Sequence, residues 1–290
     1  MDRIHKKVTG FDIFVYAVLT LFAALIVVPF YTAIVISVVS SAEYTRSTLL
    51  LWPKELRLEN YVFLLGTGVV ASGYQNSLYI TFFGLVYALS ITVMMAYGFS
   101  RKEFPGKKII FVFMLITMFF GGGLVPFYLL IRNLGLINTR ASVILMMGVS
   151  PFSVIIIKSN FEQLPDSLEE AAIIDGANDL TVFFRIMLPL QKPIIATFAL
   201  FISVGYWNEW FWSMILINDT RLFPLQVVLR SIVSSARMDS AMQQSTYARQ
   251  IFSDGIKIAA VVLTMLPIMV IYPFLQRYFV KGVLVGAIKI

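Results

Sequence analysis

The stretch at residues 162–193, EQLPDSLEEAAIIDGANDLTVFFRIMLPLQKP, decides how the rest of the chain is read. It is a long polar interval between two very apolar segments. Pro165 ends what precedes it. Asp166 and Glu169 stand at capping-box spacing, and the run SLEEAAII that follows Asp166 is rich in helix-forming Leu, Glu and Ala. Gly176 offers the left-handed position that closes a helix. Asn178 or Asp179 then caps a second short helix to about Ile186, and Leu188-Pro189 stops it. The expectation is a helix–turn–helix knob over 162–192, held between two membrane spans.

The chain as a whole is 59% hydrophobic and 13% charged, where a soluble domain has about a quarter charged residues. The apolar residues fall in long uncharged blocks, so lipid is the solvent. Spans are expected at about 11–41, 77–98, 109–131, 141–161, 193–218 and 256–279, with a further outer segment over 219–254. The first apolar run is too long for a signal peptide core, lacks a small-x-small exit, and reads as an uncleaved span with a kink at Pro29. Gly66, Gly68 and Gly73, with Gln75 and Asn76, cut the stretch before the second span, and Asn76 or Ser77 is its candidate cap. Gly121, Gly122 and Gly123 interrupt the third span; Gly148 and Pro151 fall in the fourth.

The fold class is therefore an all-α integral membrane protein, one transmembrane domain over 1–290 with six transmembrane helices. Orientation comes from the short turns. Arg101, Lys102, Lys107 and Lys108 outnumber Arg132 and Arg140, which places both termini and the knob in the cytoplasm. The net charge of +7 sits mainly between apolar blocks, which fits membrane topology rather than nucleic acid. There is no cysteine, hence no disulfide and no thiolate chemistry. The one histidine, His5, lies in a basic segment with Arg3, Lys6 and Lys7 and reads as solvated.

Glu170-Ala171-Ala172, Asp175-Gly176-Ala177, Phe183, Ile186 and Leu188-Pro189 resemble the EAA loop of ABC importer permeases. The end of the chain, Leu275 to Gly282 with Gly286, Ala287 and Lys289, is similar to carbohydrate permeases of the maltose MalG type. Gly121 to Pro126, Asn133 to Asn138, Trp207-Asn208 and Pro224-Leu225 resemble the LplC/YtcP-like branch, one member of which imports alginate oligosaccharides. The resemblance implies a type I importer permease in a bacterial plasma membrane, with the knob as a coupling helix in a cleft of a cytoplasmic ATPase. It implies Glu170, Ala171, Ala172, Asp175, Gly176 and Ala177 as the ATPase-coupling residues. It also implies a second homologous permease, two ATPase subunits using ATP and Mg, and a substrate-binding protein outside.

The chain itself carries no phosphate-cradling Gly-rich loop, no metal-ligand cluster and no nucleophile triad, so no catalytic residue, metal or cofactor is assigned to it. Tyr206, Trp207 and Asn208 are candidates to line a sugar path, against the alternative of lipid-facing or core packing. Glu209 is the one carboxylate of the fifth span, a pathway group or a member of an interfacial aromatic belt. Arg221, Arg230, Arg237 and Arg249 read as a solvated loop with pairs such as Asp219. The resulting function is ATP-driven, alternating-access import of an oligosaccharide. A secondary transporter is the rival, and nearly ion-free spans without an evident internal repeat argue against it. A permease for an ion or amino acid is the other.

Overall fold

The computed structural model describes the backbone of residues 9–46, 50–102, 105–242 and 253–287, with side chains at all of these except 235–242, 253 and 272–287. Among these residues the regular elements are all helical. In chain order they are α1 (Gly10–Ser37), α2 (Ser41–Arg46), α3 (Glu59–Gly66), α4 (Val69–Ser100), α5 (Lys107–Phe119), α6 (Leu124–Asn133) and α7 (Arg140–Met147). There follow α8 (Pro151–Phe161), α9 (Ser167–Ile174), α10 (Asp179–Leu190), α11 (Lys192–Trp207), α12 (Phe211–Leu216), α13 (Leu225–Met242) and α14 (Ser253–Ala287). Helices α1, α4 and the described part of α14 are long and apolar enough to cross a bilayer. The pairs α5/α6, α7/α8 and α10/α11 pass the same test as bent units, giving three crossings, or six when each pair counts as one span. His5, the basic segment around it and the side chains of the C-terminal tail motif lie outside the described residues.

The chain divides into two compact units, residues 1–68 with 231–265, and 69–230 with 266–290. In the first, Thr9 and Asp12 form a reciprocal capping box that starts α1. This helix passes through Pro29 and buries only Val35 and Ser37. A helix apolar on every side belongs in lipid or against another membrane chain. Its end is fixed to α3: Asn60 Nδ2 donates to the Ser37 carbonyl at 3.0 Å, and the Tyr61 and Ser37 hydroxyls lie 2.7 Å apart.

The second unit is built on α4. Its buried residues, Ile80, Ala88, Val93, Ala96 and Phe99 among them, pack on α8 and α11. At Gly84 a Cβ would lie 2.6 Å from the Tyr206 ring, so only glycine permits this approach of α4 and α11. The sequence expectation that the second helix starts at Ser77 is corrected. Gly66 and Gly68 do separate α3 from α4, but α4 begins at Val69 and includes Gly73, Gln75 and Asn76. Asn76 and Ser77 have tertiary partners instead of a capping role. Asn76 Nδ2 donates to the carbonyls of Arg221 and Phe223 at 2.8 and 3.1 Å, its Oδ1 accepts from Arg140 Nε at 2.8 Å, and Ser77 Oγ accepts from Leu225 N at 2.9 Å.

Three further helix ends differ from expectation. The stretch 193–218 is not one helix: α11 ends at Trp207 and α12 starts at Phe211. Leu188-Pro189 does not stop α10, which runs to Leu190 through a π segment at Phe183–Met187. Proline at position 189 removes an N–H and crowds the carbonyl four residues back, and the wider π turn just before it accommodates both. The segment after 219 is not all loop, since α13 starts at Leu225. The three glycines at 121–123 do mark a break, a bend of 118° between α5 and α6.

Candidate functional site

The knob comprises α9, the turn at Gly176 and the start of α10. Gly176 has φ 82°, its N–H donates to Ile173 O and that of Ala177 to Ala172 O, both at 2.9 Å. These are the two bonds of a Schellman closure, which needs the left-handed residue that glycine supplies. Asn178 Oδ1 then accepts from Thr181 N at 2.8 Å and caps α10.

The knob has two faces. Ala172, Val182, Phe183 and Met187 are buried in one core with Val93, Ala96, Phe99, Ile157 and Phe161 of α4 and α8. Away from that core, Ile174 is 84% exposed and Leu180 68%, with Ile173 also open. Glu170, Ala171 and Asp175 are exposed, and Ala177 is half-buried. The Glu170 N–H donates to Asp166 O at 3.1 Å within the helix, while its carboxylate makes no hydrogen bond or close ion pair among the described residues and acts on Lys102 only through its charge.

The Asp166–Glu169 capping box does not form. Asp166 has helical backbone angles, and its side chain makes no cap hydrogen bond. Both carboxylates turn instead to the end of α4 and the residues just after it: Arg101 Nη1 donates to Glu169 Oε2, and Lys102 Nζ lies 2.5 Å from Asp166 Oδ2. Charge-assisted bonds to cations outcompete neutral backbone donors. The hydrogen bond from Lys102 holds the Asp166 carboxyl below its usual range and in return raises the Lys102 ammonium. The Arg101 guanidinium also lies over the Tyr97 ring at 4.6 Å, and that ring meets Phe183 at 4.7 Å. A cavity of about 570 Å³ opens here, lined by Tyr97, Arg101, Lys102, Asp166, Glu170 and Asp179.

The path candidates lie at the other end of the unit. Tyr206 is 3% exposed, and its hydroxyl donates to Ile144 O at 2.8 Å. Trp207 is buried against Tyr74, ring centroids 6.1 Å apart. Neither ring offers a free face in this conformation. Asn208 is exposed, and its Oδ1 accepts from Gln226 Nε2 at 3.3 Å. Glu209 Oε1 accepts from Trp212 N at 2.5 Å and so caps α12. Arg221 pairs with Asp219 at 2.7 Å, and Arg230 stacks over Trp210 at 3.9 Å; Arg237 and Arg249 lie outside the described side chains. Sequence reasoning missed Arg101, Tyr97, Asn76 and Arg140. Glu169 as the partner of Arg101, Phe183 as that of Tyr97 and Asn76 as that of Arg140 stand 64 or more residues away, and no local spacing points to such pairs.

Residues 65–285 match the family of binding-protein-dependent transport system inner membrane components. The chain is 39% identical to Protein LplC of Bacillus subtilis (strain 168), covering 92% of this chain and 90% of that protein. It is 35% identical to the polygalacturonan/rhamnogalacturonan transport system permease protein YtcP of the same organism, covering 96% and 98%. A crystal structure of a bacterial ABC transporter for import of the acidic polysaccharide alginate contains a chain that superposes with TM-score 0.83. That chain is 30% identical, and the match covers 93% of this chain and 96% of that one. The fold is that of a type I importer permease.

Proposed function

Since the chain belongs to the binding-protein-dependent transport system inner membrane components, we propose that it is one permease half of an importer for acidic oligosaccharides, driven by ATP hydrolysis in two partner subunits. The observation that carries this reading is the two-faced knob. Its inner face is sealed into the α4–α8–α11 core, while Glu170, Ile173, Ile174 and Leu180 stand open to a partner. Exposed apolar residues around an unpaired carboxylate suit a protein surface that brings a cation. The lack of a phosphate loop in this chain supports placing ATP and Mg in that partner. Basic Arg101, Lys102, Lys107 and Lys108 beside the knob support a cytoplasmic position for it and for both termini.

The assembly holds a second homologous permease, and a substrate-binding protein delivers sugar from outside. Alternating access moves the sugar inward. The acidic character of the substrate rests on the relatives: one permease is named for polygalacturonan, and the solved transporter for alginate. Asn208 is the exposed path candidate, next in sequence to the buried Tyr206 and Trp207.

The test is Glu170→Lys in the co-expressed complex. Losing one partner of a buried charge pair across an interface costs about 2–5 kcal/mol, and the lysine adds repulsion. The variant inserts and keeps its partner permease, but the ATPase subunits are lost on purification. ATPase subunits retained at wild-type stoichiometry would show that Glu170 is not in the docking contact. In proteoliposomes, uptake of a uronate oligosaccharide that exceeds uptake of a neutral one checks the substrate class.

A further inference from the structure

We propose that Arg101 and Glu169 form a latch that makes the knob and α4 move as one body through the transport cycle. Arg101 is then a positioning residue for transport. The proposal rests on the functional reading above and adds to it a residue outside the coupling motif.

The knob is joined to α4 in two ways. The apolar core of Ala172, Val182 and Phe183 against Val93, Ala96 and Phe99 is adhesive but non-directional, and such a contact tolerates sliding. A charge-assisted hydrogen bond has a fixed geometry and pins the register. Two ion pairs compete for that role. Lys102 and Asp166 are 80% and 62% exposed, so water and salt screen them. Arg101 and Glu169 are each only 22% exposed. Removing either member leaves a mostly buried charge without its partner.

The surroundings favour the same pair. Arg101 stacks on Tyr97, and Tyr97 contacts both Phe183 of the knob and Phe161 at the end of α8, at 4.7 and 5.5 Å. The guanidinium is thus held by an aromatic group that itself belongs to α4 and touches the knob. Glu169 and Glu170 divide two tasks on neighbouring positions of one helix. The first pairs with Arg101 at the end of α4, and the second is exposed, the group that the functional reading gives to the partner. A push received at Glu170 reaches α4 without loss when Glu169 is locked.

The absence of cysteine from the chain permits a direct test. Arg101→Cys and Glu169→Cys are combined in the complete complex and studied before and after bridging with a short bis-maleimide, with each single cysteine as control. Before bridging, the ATPase subunits remain bound while substrate-stimulated ATPase activity falls roughly tenfold. Bridging restores it, because a covalent tie replaces the latch. Arg101→Lys, which keeps the charge, retains most of the stimulation. Wild-type stimulation in the unbridged double variant overturns the latch. So does activity that stays low after bridging, which would mean that the two elements must separate during the cycle. A wild-type complex that brings down no ATPase overturns the functional reading instead, and the latch with it.

Discussion

At the scale of single residues, the turn at Gly176 is the point where the knob depends on one backbone angle. Its φ of 82° lies in the left-handed region, and no side chain or backbone atom lies within 4 Å of an added Cβ. Space is therefore not what glycine provides there; conformational freedom is. A β-branched residue in this conformation costs about 1–2 kcal/mol. Gly176→Val is expected to insert normally and to keep its partner permease, while α10 leaves its proper angle and substrate-stimulated ATPase activity drops. Stimulation at the wild-type level would mean that the turn relaxes without moving α10. Gly84 is the opposite case. Its backbone is ordinary helix, and the atoms nearest to an added Cβ belong to the Tyr206 ring, at 2.6 Å. The first glycine was legible because helix-closing turns have a local grammar. The second was not, because its cause is a side chain more than a hundred residues away.

At the scale of elements, the same division between local and distant causes explains where sequence reading succeeded and failed. The knob helices, the Asn178 cap and the break at Gly121 to Gly123 follow from neighbouring residues, and the structure places a helix end or a bend at each. The partners of Asn76 and Ser77 in α4 and the pairing of Glu169 depend on residues remote in sequence. Asn76 and Ser77 looked like a helix start because their polar groups suit one; they are spent on α7 and on the segment leading into α13. Glu209 looked like a carboxylate in the outer part of the fifth span, a pathway group or a member of an interfacial aromatic belt. It sits in the break after α11, where its carboxylate accepts from Trp212 N. Capping predicts a specific outcome. Glu209→Gln keeps an acceptor and leaves thermal stability in detergent nearly unchanged. Glu209→Leu removes it and loses about 1 kcal/mol, read as a lower melting temperature. Equal stability of the two variants would remove the cap from the account of α12 and return Glu209 to the translocation path.

At the scale of the whole molecule, α4 relates the two groups of candidate residues. Arg101, just past its last residue, binds Glu169 of the knob, and Asn76, near its start, binds the carbonyl of Arg221. From position 76 to position 101 the helix advances roughly 37 Å at about 1.5 Å per residue, more than the ~30 Å of bilayer hydrocarbon. The knob and the segment at Thr220–Leu222 are therefore expected on opposite sides of the membrane. The proposed orientation, with the knob in the cytoplasm, follows from the basic cluster after α4 that adjoins it. Single cysteines at Ile174, 84% exposed, and at the exposed Thr220 make this measurable in a chain with no other thiol. In intact cells a membrane-impermeant maleimide is expected to label Thr220→Cys and to spare Ile174→Cys. After permeabilisation Ile174→Cys becomes reactive when the chain is expressed with its partner permease alone. Co-expression of the ATPase subunits is then expected to shield it, since the proposed function has them cover the exposed apolar face of the knob. Labelling of Ile174→Cys in intact cells would invert the topology. Reactivity that the ATPase subunits leave unchanged would place their docking surface away from the end of α9.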